Sequence, residues 1–246
     1  MSDSIVIIPT YNEIENIEKI IRVVFALPKE FHVLVIDDGS PDGTADVVKS
    51  LQKEFPDKLY ILERSGKLGL GTAYIVGFRW ALTHDYDYIF EMDADFSHNP
   101  EDLIRLYDAC LTDTDVAIGS RYATGVNVVN WPMGRVLMSY FASKYVKFIT
   151  GMKINDTTAG FVCYKRKVLE TIDLEAIHFK GYAFQIEMKY TAYSLGFRLQ
   201  EVSIIFVNRI LGTSKMSSDI FGEAFFGVIG LRLRKLFGGF KKSHAH

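Results

Sequence analysis

Two carboxylates flank one small residue at Asp93-Ala94-Asp95, directly after the apolar run Tyr88 to Met92. Carboxylates at i and i+2 on an extended turn can face one ion together. Mg²⁺ takes one or two protein carboxylates and completes its octahedron with water and substrate phosphate. Such an ion is suited to a diphosphate leaving group, on which negative charge builds as its bond to a sugar breaks. The plainer reading is a solvated turn, or Asp95 capping the helix that begins near Pro100.

Other clusters follow the same arrangement. Asp37-Asp38 comes after an apolar run, Val33 to Ile36. An acidic residue there can hydrogen-bond a ribose hydroxyl or a base edge, or it can close an Asx-turn over Gly39 or Gly43. Lys67-Leu68-Gly69-Leu70-Gly71 has glycines that would let backbone approach a ligand and a lysine that could touch phosphate; it equally reads as a helix-initiating loop. It is neither a GxGxxG fingerprint nor a P-loop. Arg121, Arg135, Arg209 and Lys215 are candidates for phosphate contacts, Arg as a bidentate fork and Lys as a point charge. Each alone also fits a solvated surface charge. Ser139 lies one helical turn beyond Arg135. Gln185 and Glu187 begin a helix and could reach a sugar, or Glu187 could simply favour the helix dipole. His98, near the acidic turn, reads as a loop residue. No Gly-x-Ser-x-Gly, His-Glu-x-x-His or zinc-type Cys/His spacing occurs.

Short apolar runs alternating with helical patterns must position these clusters. Strands are predicted at Ser4 to Ile8, Val33 to Ile36, Leu59 to Leu62, Tyr88 to Met92 and Val116 to Ile118. Between them lie helices opening at Glu13 (with Ile14, Ile17, Ile20, Ile21 and Val24 on one face), at Thr44, after Gly71 and at Glu101. Strands separated by helices imply an α/β domain with a mostly parallel sheet and helices on both faces, whose ligands gather at the carboxyl ends of strands. The second half predicts a helix from Arg135 to Thr150, a strand at Phe161 to Tyr164, a helix from Tyr182 to Leu195, a strand from Leu199 to Val207, and a basic amphipathic helix from Ile220 to Phe240. The division expected is residues 1–215 as the catalytic domain and 216–246 as a basic amphipathic helix and tail.

The 246 residues suit one α/β domain. A formal net charge of -2 argues against a nucleic-acid partner. Cys110 and Cys163 read as reduced, packed thiols of a cytosolic protein, and the first residues show no secretory pattern. No apolar run reaches the ~20 residues of a membrane span. The Arg135 to Thr150 helix interleaves Tyr140, Phe141, Tyr145 and Phe148 with Lys144 and Lys147. The tail does the same with Phe225, Phe226, Phe237, Arg232, Arg234 and Lys235. The first reads equally as a core helix and a membrane-contacting one; the second favours the interface of an anionic membrane.

These pieces in this order resemble the polyprenol (dolichol) phosphate mannose synthases of glycosyltransferase family 2. The resemblance runs from Ile5 to about Lys215, through Pro9-Thr10-Tyr11-Asn12-Glu13, Asp37 to Thr44, Met92 to Asp95, Gly119-Ser120-Arg121, Asp156 to Phe161, Gly181 to Glu187, and Arg209 with Gly212 and Ser214-Lys215. It implies a single GT-A domain, Rossmann-like and of the nucleotide-diphospho-sugar transferase kind. The implied reaction is inverting transfer of mannose from GDP-mannose to polyprenyl phosphate, with Mg²⁺ or Mn²⁺. Pro9, Tyr11, Glu13 and Asp38 would hold the guanine nucleotide, with Asp37, Lys67, Ala94 and Lys215 on the donor side. Asp93 and Asp95 would serve the metal. Arg121 and Arg209 would touch phosphates, and Arg135 and Ser139 would receive the lipid phosphate. Ser97 stands where some relatives carry a Gln on the metal side, and its shorter reach puts direct ligation there in doubt. The implied location is the cytoplasm, peripheral on the cytoplasmic face of a membrane. A same-fold transferase using UDP-glucose, UDP-GlcNAc or a cell-surface glycan stays open, as does a non-catalytic binding module. The last would be expected to lose one carboxylate of the acidic turn, and both are present.

Overall fold

The computed structural model describes residues 2–208 and 220–240. Its first half alternates β1 (Ser4–Thr10), α1 (Ile17–Phe25), β2 (His32–Asp37), α2 (Thr44–Glu54), β3 (Leu59–Glu63), α3 (Leu70–Leu82), β4 (Tyr88–Glu91), α4 (Asp102–Leu111) and β5 (Val116–Ser120). The second half adds β6 (Val128–Val129), α5 (Met133–Thr150), β7 (Val162–Lys165), α6 (Arg166–Thr171), a 3-10 turn at Leu174–Ala176, α7 (Tyr182–Ser194), β8 (Leu199–Ser203), β9 (Phe206–Val207) and α8 (Ile220–Leu236).

The main sheet runs β3-β2-β1-β4-β7-β5-β8. All its pairings are parallel except those of β7, which is antiparallel to both β4 and β5. Strands buried on both faces explain the continuous apolar runs. In β1, Ile5 and Ile7 enter one core with Tyr74, Phe78, Phe184 and Val228, from α3, α7 and α8. Val6 and Ile8 enter the other with Ile17, Ile20, Val48 and Leu106, from α1, α2 and α4. This is an α/β domain with a mostly parallel sheet and helices on both faces.

Three local expectations change. The first helix begins at Ile17, because Asn12 takes a left-handed φ of 55° and the chain turns before it can wind. Ile14 is therefore exposed, its N–H donating to Asp42 Oδ2 at 3.1 Å. The single strand expected over Leu199 to Val207 breaks: Ile204 N–H still donates to Ser120 O at 3.0 Å, but the exposed Ile205 leads into β9, which pairs with β6 in a second small sheet. The last helix ends at Leu236, where Gly238 at φ 70° stops it with an αL cap.

α8 faces two ways. Val228 and Leu231 pack into the core beneath it, while Phe226, Leu236 and Phe237 stay exposed, Phe237 at 85%. α5 lies beside it, with Tyr145 stacked on Phe225 at 4.6 Å between ring centroids and its hydroxyl donating to Phe225 O at 2.9 Å. Phe141 and Phe148 of α5 are also exposed. Among the described residues, no helix is long and apolar enough to cross a membrane.

Candidate active site

β4 delivers the acidic turn to the carboxyl end of the sheet. Met92 is buried and its N–H donates to Ile7 O at 3.2 Å, so Asp93 emerges just where the strand leaves the core. Asp93 lines a cavity of about 430 Å³ together with Arg121, Arg135, Ser139 and Gln185. Asp95 sits next to it and is buried, with Oδ1 accepting from Ser97 N at 3.0 Å and Ser97 Oγ at 2.5 Å. This Asx-turn orients Asp95; it does not cap α4. The Ser97 hydroxyl is directed at Asp95 and so is a second-rank candidate for any ion. Ala94 is buried between the two carboxylates.

The two carboxylates are hard oxygen donors of the kind Mg²⁺ and Mn²⁺ prefer. Among the described residues, no group of three or more His, Cys, Asp or Glu is arranged to hold a metal ion. A pair of carboxylates fits an ion that draws its other oxygens from water and substrate phosphate.

Beneath the turn lies a buried polar chain. Gln185 Nε2 donates to Glu91 Oε2 at 2.7 Å, and Lys189 Nζ donates to Gln185 Oε1 at 3.2 Å, Gln185 O at 3.0 Å and Ala159 O at 2.6 Å. Burial pushes the Glu91 carboxyl up and the Lys189 ammonium down, each partly offset by the other's charge. Gln185 is thus held at both ends of its amide while one side lines the cavity. Glu187, expected beside it at a sugar, does not line the cavity. Its Oε2 accepts from His178 N and Phe179 N at 2.9 Å each.

On the donor-side edge, Pro9 is the second-last residue of β1 and Tyr11 follows the strand's end. Lys67 Nζ stands 5.7 Å from the Tyr11 ring centroid. Asp37 is engaged by its own strand end: Oδ1 accepts from Thr10 Oγ1 at 2.9 Å and Ser40 Oγ at 2.6 Å, and Oδ2 from Ser40 N at 2.9 Å. Asp38 accepts from Arg64 Nε at 2.6 Å. Arg64 also donates to Thr72 Oγ1 at 2.7 Å and Gly69 O at 3.5 Å, tying Asp38 to the glycine loop. Glu13 is buried and accepts from Asn16 Nδ2 at 3.1 Å.

The opposite wall is basic and aromatic. Arg121, at the end of β5, is fixed by Asp156: Oδ2 accepts from Arg121 N at 2.9 Å and Nε at 2.7 Å, and Oδ1 from Nη2 at 2.6 Å. Glu201 in turn holds the strap that carries Asp156, accepting from Asn155 N at 2.9 Å, Asp156 N at 2.8 Å and Ser120 Oγ at 2.7 Å. Burial alone would raise the Asp156 carboxyl, but the Arg121 charge and these hydrogen bonds bring it below its ordinary value. The Arg121 guanidinium lies 5.6 Å from the ring centroids of Trp131 and Phe206, and that of Arg135 lies 4.1 Å from Trp131. Arg135 Nη1 donates to Asn208 Oδ1 at 3.1 Å. Ser139, four residues on along α5, accepts from the Tyr122 hydroxyl at 2.8 Å. Towards solvent the cavity is lined by Met138, Phe141, Tyr145 and Phe225.

The arrangement thus joins an acidic turn, a cationic wall and an apolar mouth in one space. Arg209 and Lys215 lie outside the described residues. Asp156, Lys189, Arg64, Trp131 and His98 were not singled out as site residues by their types and spacing. Asp156 and Lys189 are fully buried charges, which sequence alone does not reveal. His98 is buried against Phe161 at 4.9 Å between ring centroids and lines the cavity. Burial pushes its pKa down to about 4, so the ring is neutral at pH 7.

The sequence profile described as Glycosyl transferase family 2 matches residues 5–173. The chain is 49% identical over 226 residues to a polyprenol monophosphomannose synthase of Mycolicibacterium smegmatis, covering 92% of this chain and 85% of that protein. It is 48% identical over 223 residues to an undecaprenyl-phosphate mannosyltransferase of Micrococcus luteus, covering 90% of each. Among solved structures, a glucosyl-3-phosphoglycerate synthase of Mycobacterium tuberculosis, crystallised with Mn²⁺, UDP-glucose and glycerol 3-phosphate, superposes with a TM-score of 0.65. It is 18% identical, and the match spans 94% of this chain and 79% of that one. At that identity the likeness speaks for the fold.

Proposed function

The chain belongs to glycosyl transferase family 2, and on that premise we propose that it transfers mannose from GDP-mannose to a polyprenyl phosphate, inverting the anomeric carbon. The observation that carries the reading is the single cavity shared by Asp93, Arg121, Arg135 and Ser139 and opening between apolar side chains of α5 and α8. A lipid phosphate has that same division: a dianionic head and an apolar tail. The activities named for the two bacterial relatives support the same substrate class.

The chemistry follows from the acceptor. A phosphate monoester with a second pKa of about 6 is largely ionised near pH 7. Its oxygen is already a nucleophile, so no strong general base is required, and the neutral, buried His98 is not called on to be one. Arg135 and Ser139 receive the acceptor phosphate on adjacent turns of α5, and Arg121, held rigid by Asp156, adds cationic charge without having to reorganise. Gln185, fixed between Glu91 and Lys189, borders the space where the sugar sits. Asp93 and Asp95 would hold Mg²⁺ or Mn²⁺, which neutralises charge growing on the departing diphosphate. The remaining work is alignment of the phosphate oxygen with the anomeric carbon opposite the leaving group. In-line attack on an α-linked donor gives a β-linked product.

Tyr11, Asp38 and Lys67 form the nucleotide edge, with Pro9, Glu13, Asp37 and Ala94 shaping it; Arg209 and Lys215 complete the phosphate contacts. Residues 1–215 act as the catalytic unit and 216–246 carry the lipid-facing helix. The exposed aromatic faces of α5 and α8, with Lys144 and Arg232 beside them, sit the protein on the cytoplasmic surface of a membrane as a peripheral enzyme. A donor panel tests the reading: GDP-mannose, UDP-glucose and UDP-GlcNAc are each offered with polyprenyl phosphate, and label in extractable lipid is counted. GDP-mannose is expected to be the best donor. The reading fails if it is the poorest, or if Arg135→Ala leaves the KM for polyprenyl phosphate unchanged.

A further inference from the structure

The segment 176–181, from the last residue of the 3-10 turn to the start of α7, takes no part in the chemistry above, yet it touches two distant parts of the molecule. On one side it supports the glycine loop at the nucleotide edge. Gly71 N–H donates to Lys180 O at 2.8 Å. A Cβ on Gly69 would lie 3.0 Å from Lys180 Cβ, and one on Gly71 would lie 2.9 Å from Phe179 O and 2.7 Å from the Phe184 ring. The two glycines let loop and segment close to a distance that side chains would forbid.

On the other side the same segment is covered by α8. A Cβ on Gly227 would lie 2.3 Å from the Phe179 ring, so the helix backbone rests directly on that ring. Arg234 reaches past it. Its Nη1 donates to Ala176 O at 3.0 Å and to Glu187 Oε1 at 3.4 Å, and its guanidinium lies 4.9 Å from the Phe240 ring centroid. Glu187 is fully buried, and its other oxygen is the acceptor for His178 N and Phe179 N. One carboxylate thus joins α8 to the segment, and the segment joins α8 to the glycine loop. From there Arg64 continues the path, through Gly69 O and Thr72, to Asp38.

We propose that Glu187 and Arg234 are positioning residues for the donor nucleotide: they clamp α8 onto residues 176–181, and that segment sets the place of Gly69 to Gly71. The proposal rests on the reading of Lys67 to Gly71 as the nucleotide edge. It gives Glu187 a definite task away from the sugar, and it gives the terminal helix a task besides facing lipid. A buried carboxylate needs its cation, since removing one partner leaves a charge unpaired in a low-dielectric site. The strain is expected to fall on the nearest movable backbone, which is the 176–181 segment.

The test uses the full-length chain with Arg234→Gln, Arg234→Lys and Glu187→Gln. Amide hydrogen exchange is followed at residues 69–71 and 178–181, and GDP affinity and the KM of each substrate are measured. In Arg234→Gln the Gly71 amide is expected to exchange faster, and both the GDP Kd and the GDP-mannose KM to rise about tenfold, within the range of ordinary coupling energies. kcat and the polyprenyl phosphate KM should stay within about twofold, because the catalytic contacts are untouched. Arg234→Lys should recover part of the loss, since its ammonium can still reach Ala176 O. The proposal is overturned if folded Arg234→Gln exchanges Gly71 at the wild-type rate, or if kcat and both KM values change together. Should Arg234→Gln not fold, Gly227→Ala presses on Phe179 with the ion pair intact and must give the same faster exchange at Gly71, or the proposal falls. Wild-type protein that binds no GDP would sink the donor reading, whereas the exchange comparison needs no ligand and would still decide the clamp.

Discussion

Asp156 grips Arg121 through three hydrogen bonds, one to the backbone N–H and two to the guanidinium, across 35 residues of sequence. Both side chains are buried at the cavity wall, and Glu201 anchors the strap beneath them. Removing the carboxylate takes a buried charge away from the buried guanidinium it holds. Asp156→Asn should therefore cost about 3–5 kcal/mol of stability, read by chemical denaturation. Turnover of the protein that remains folded should fall about a hundredfold as Arg121 shifts from its place.

The same pair sets an acid limit. The Asp156 carboxyl in the folded protein lies below its ordinary value of 3.8, since Arg121 outweighs the effect of burial. A group depressed in the folded state adds stability that is complete above the unfolded value and lost as pH falls through the folded one. Wild-type protein should thus hold its full advantage over Asp156→Asn at pH 5 to 7 and lose it progressively below about pH 3.8. Urea titrations at a series of pH values give the difference directly; a constant difference down to pH 3 would contradict the assignment.

Asp93 and Asp95 should behave as one unit. Either Asp→Asn substitution is expected to lower kcat by about 10²–10³-fold, the scale of losing one preorganised charge contact in a transition state. Neither should lower thermal stability as Asp156→Asn does. A chelator should abolish transfer and added Mg²⁺ or Mn²⁺ restore it. Full activity in excess chelator would count against the metal role.

The proposed membrane contact is a matter of area. Phe226 on the outer face of α8 and Phe237 just past its end are largely exposed, while the inner face is docked through Val228 and Leu231. Replacing both phenylalanines by Ser should weaken binding to anionic vesicles by about tenfold or more, at roughly 25 cal/mol per Å² of lost apolar burial. Folding and activity on a short-chain soluble acceptor should persist. Flotation assays would read the change, and unchanged flotation would assign the docking surface elsewhere.

Much of the frame was readable because burial leaves a plain mark. Val33 to Ile36 could only be an interior strand, and Asp37, Asp93 and Arg121 each follow such a run. The convergence of Arg135 and Ser139 was readable from helical spacing. The antiparallel sense of β7 was not, since a four-residue apolar run carries no direction. Glu187 stayed open between two readings because a helix-start acid looks the same whether it meets a ligand or the backbone of residues 178 and 179. Asp156 stood inside a motif, but its partner lies 35 positions away, and only the fold shows that it serves Arg121. The tail pattern of aromatic and basic residues marked the exposed aromatic face of α8 and concealed that the other face is core.

The most direct measurement is the linkage in the product. GDP-mannose, polyprenyl phosphate and Mg²⁺ are incubated with the purified chain, the lipid is extracted, and proton and phosphorus NMR read the anomeric configuration. A mannosyl phosphodiester in the β configuration, formed in step with GDP, is the predicted result. An α-linked product, or GDP release with only free mannose and no lipid-borne sugar, would contradict it.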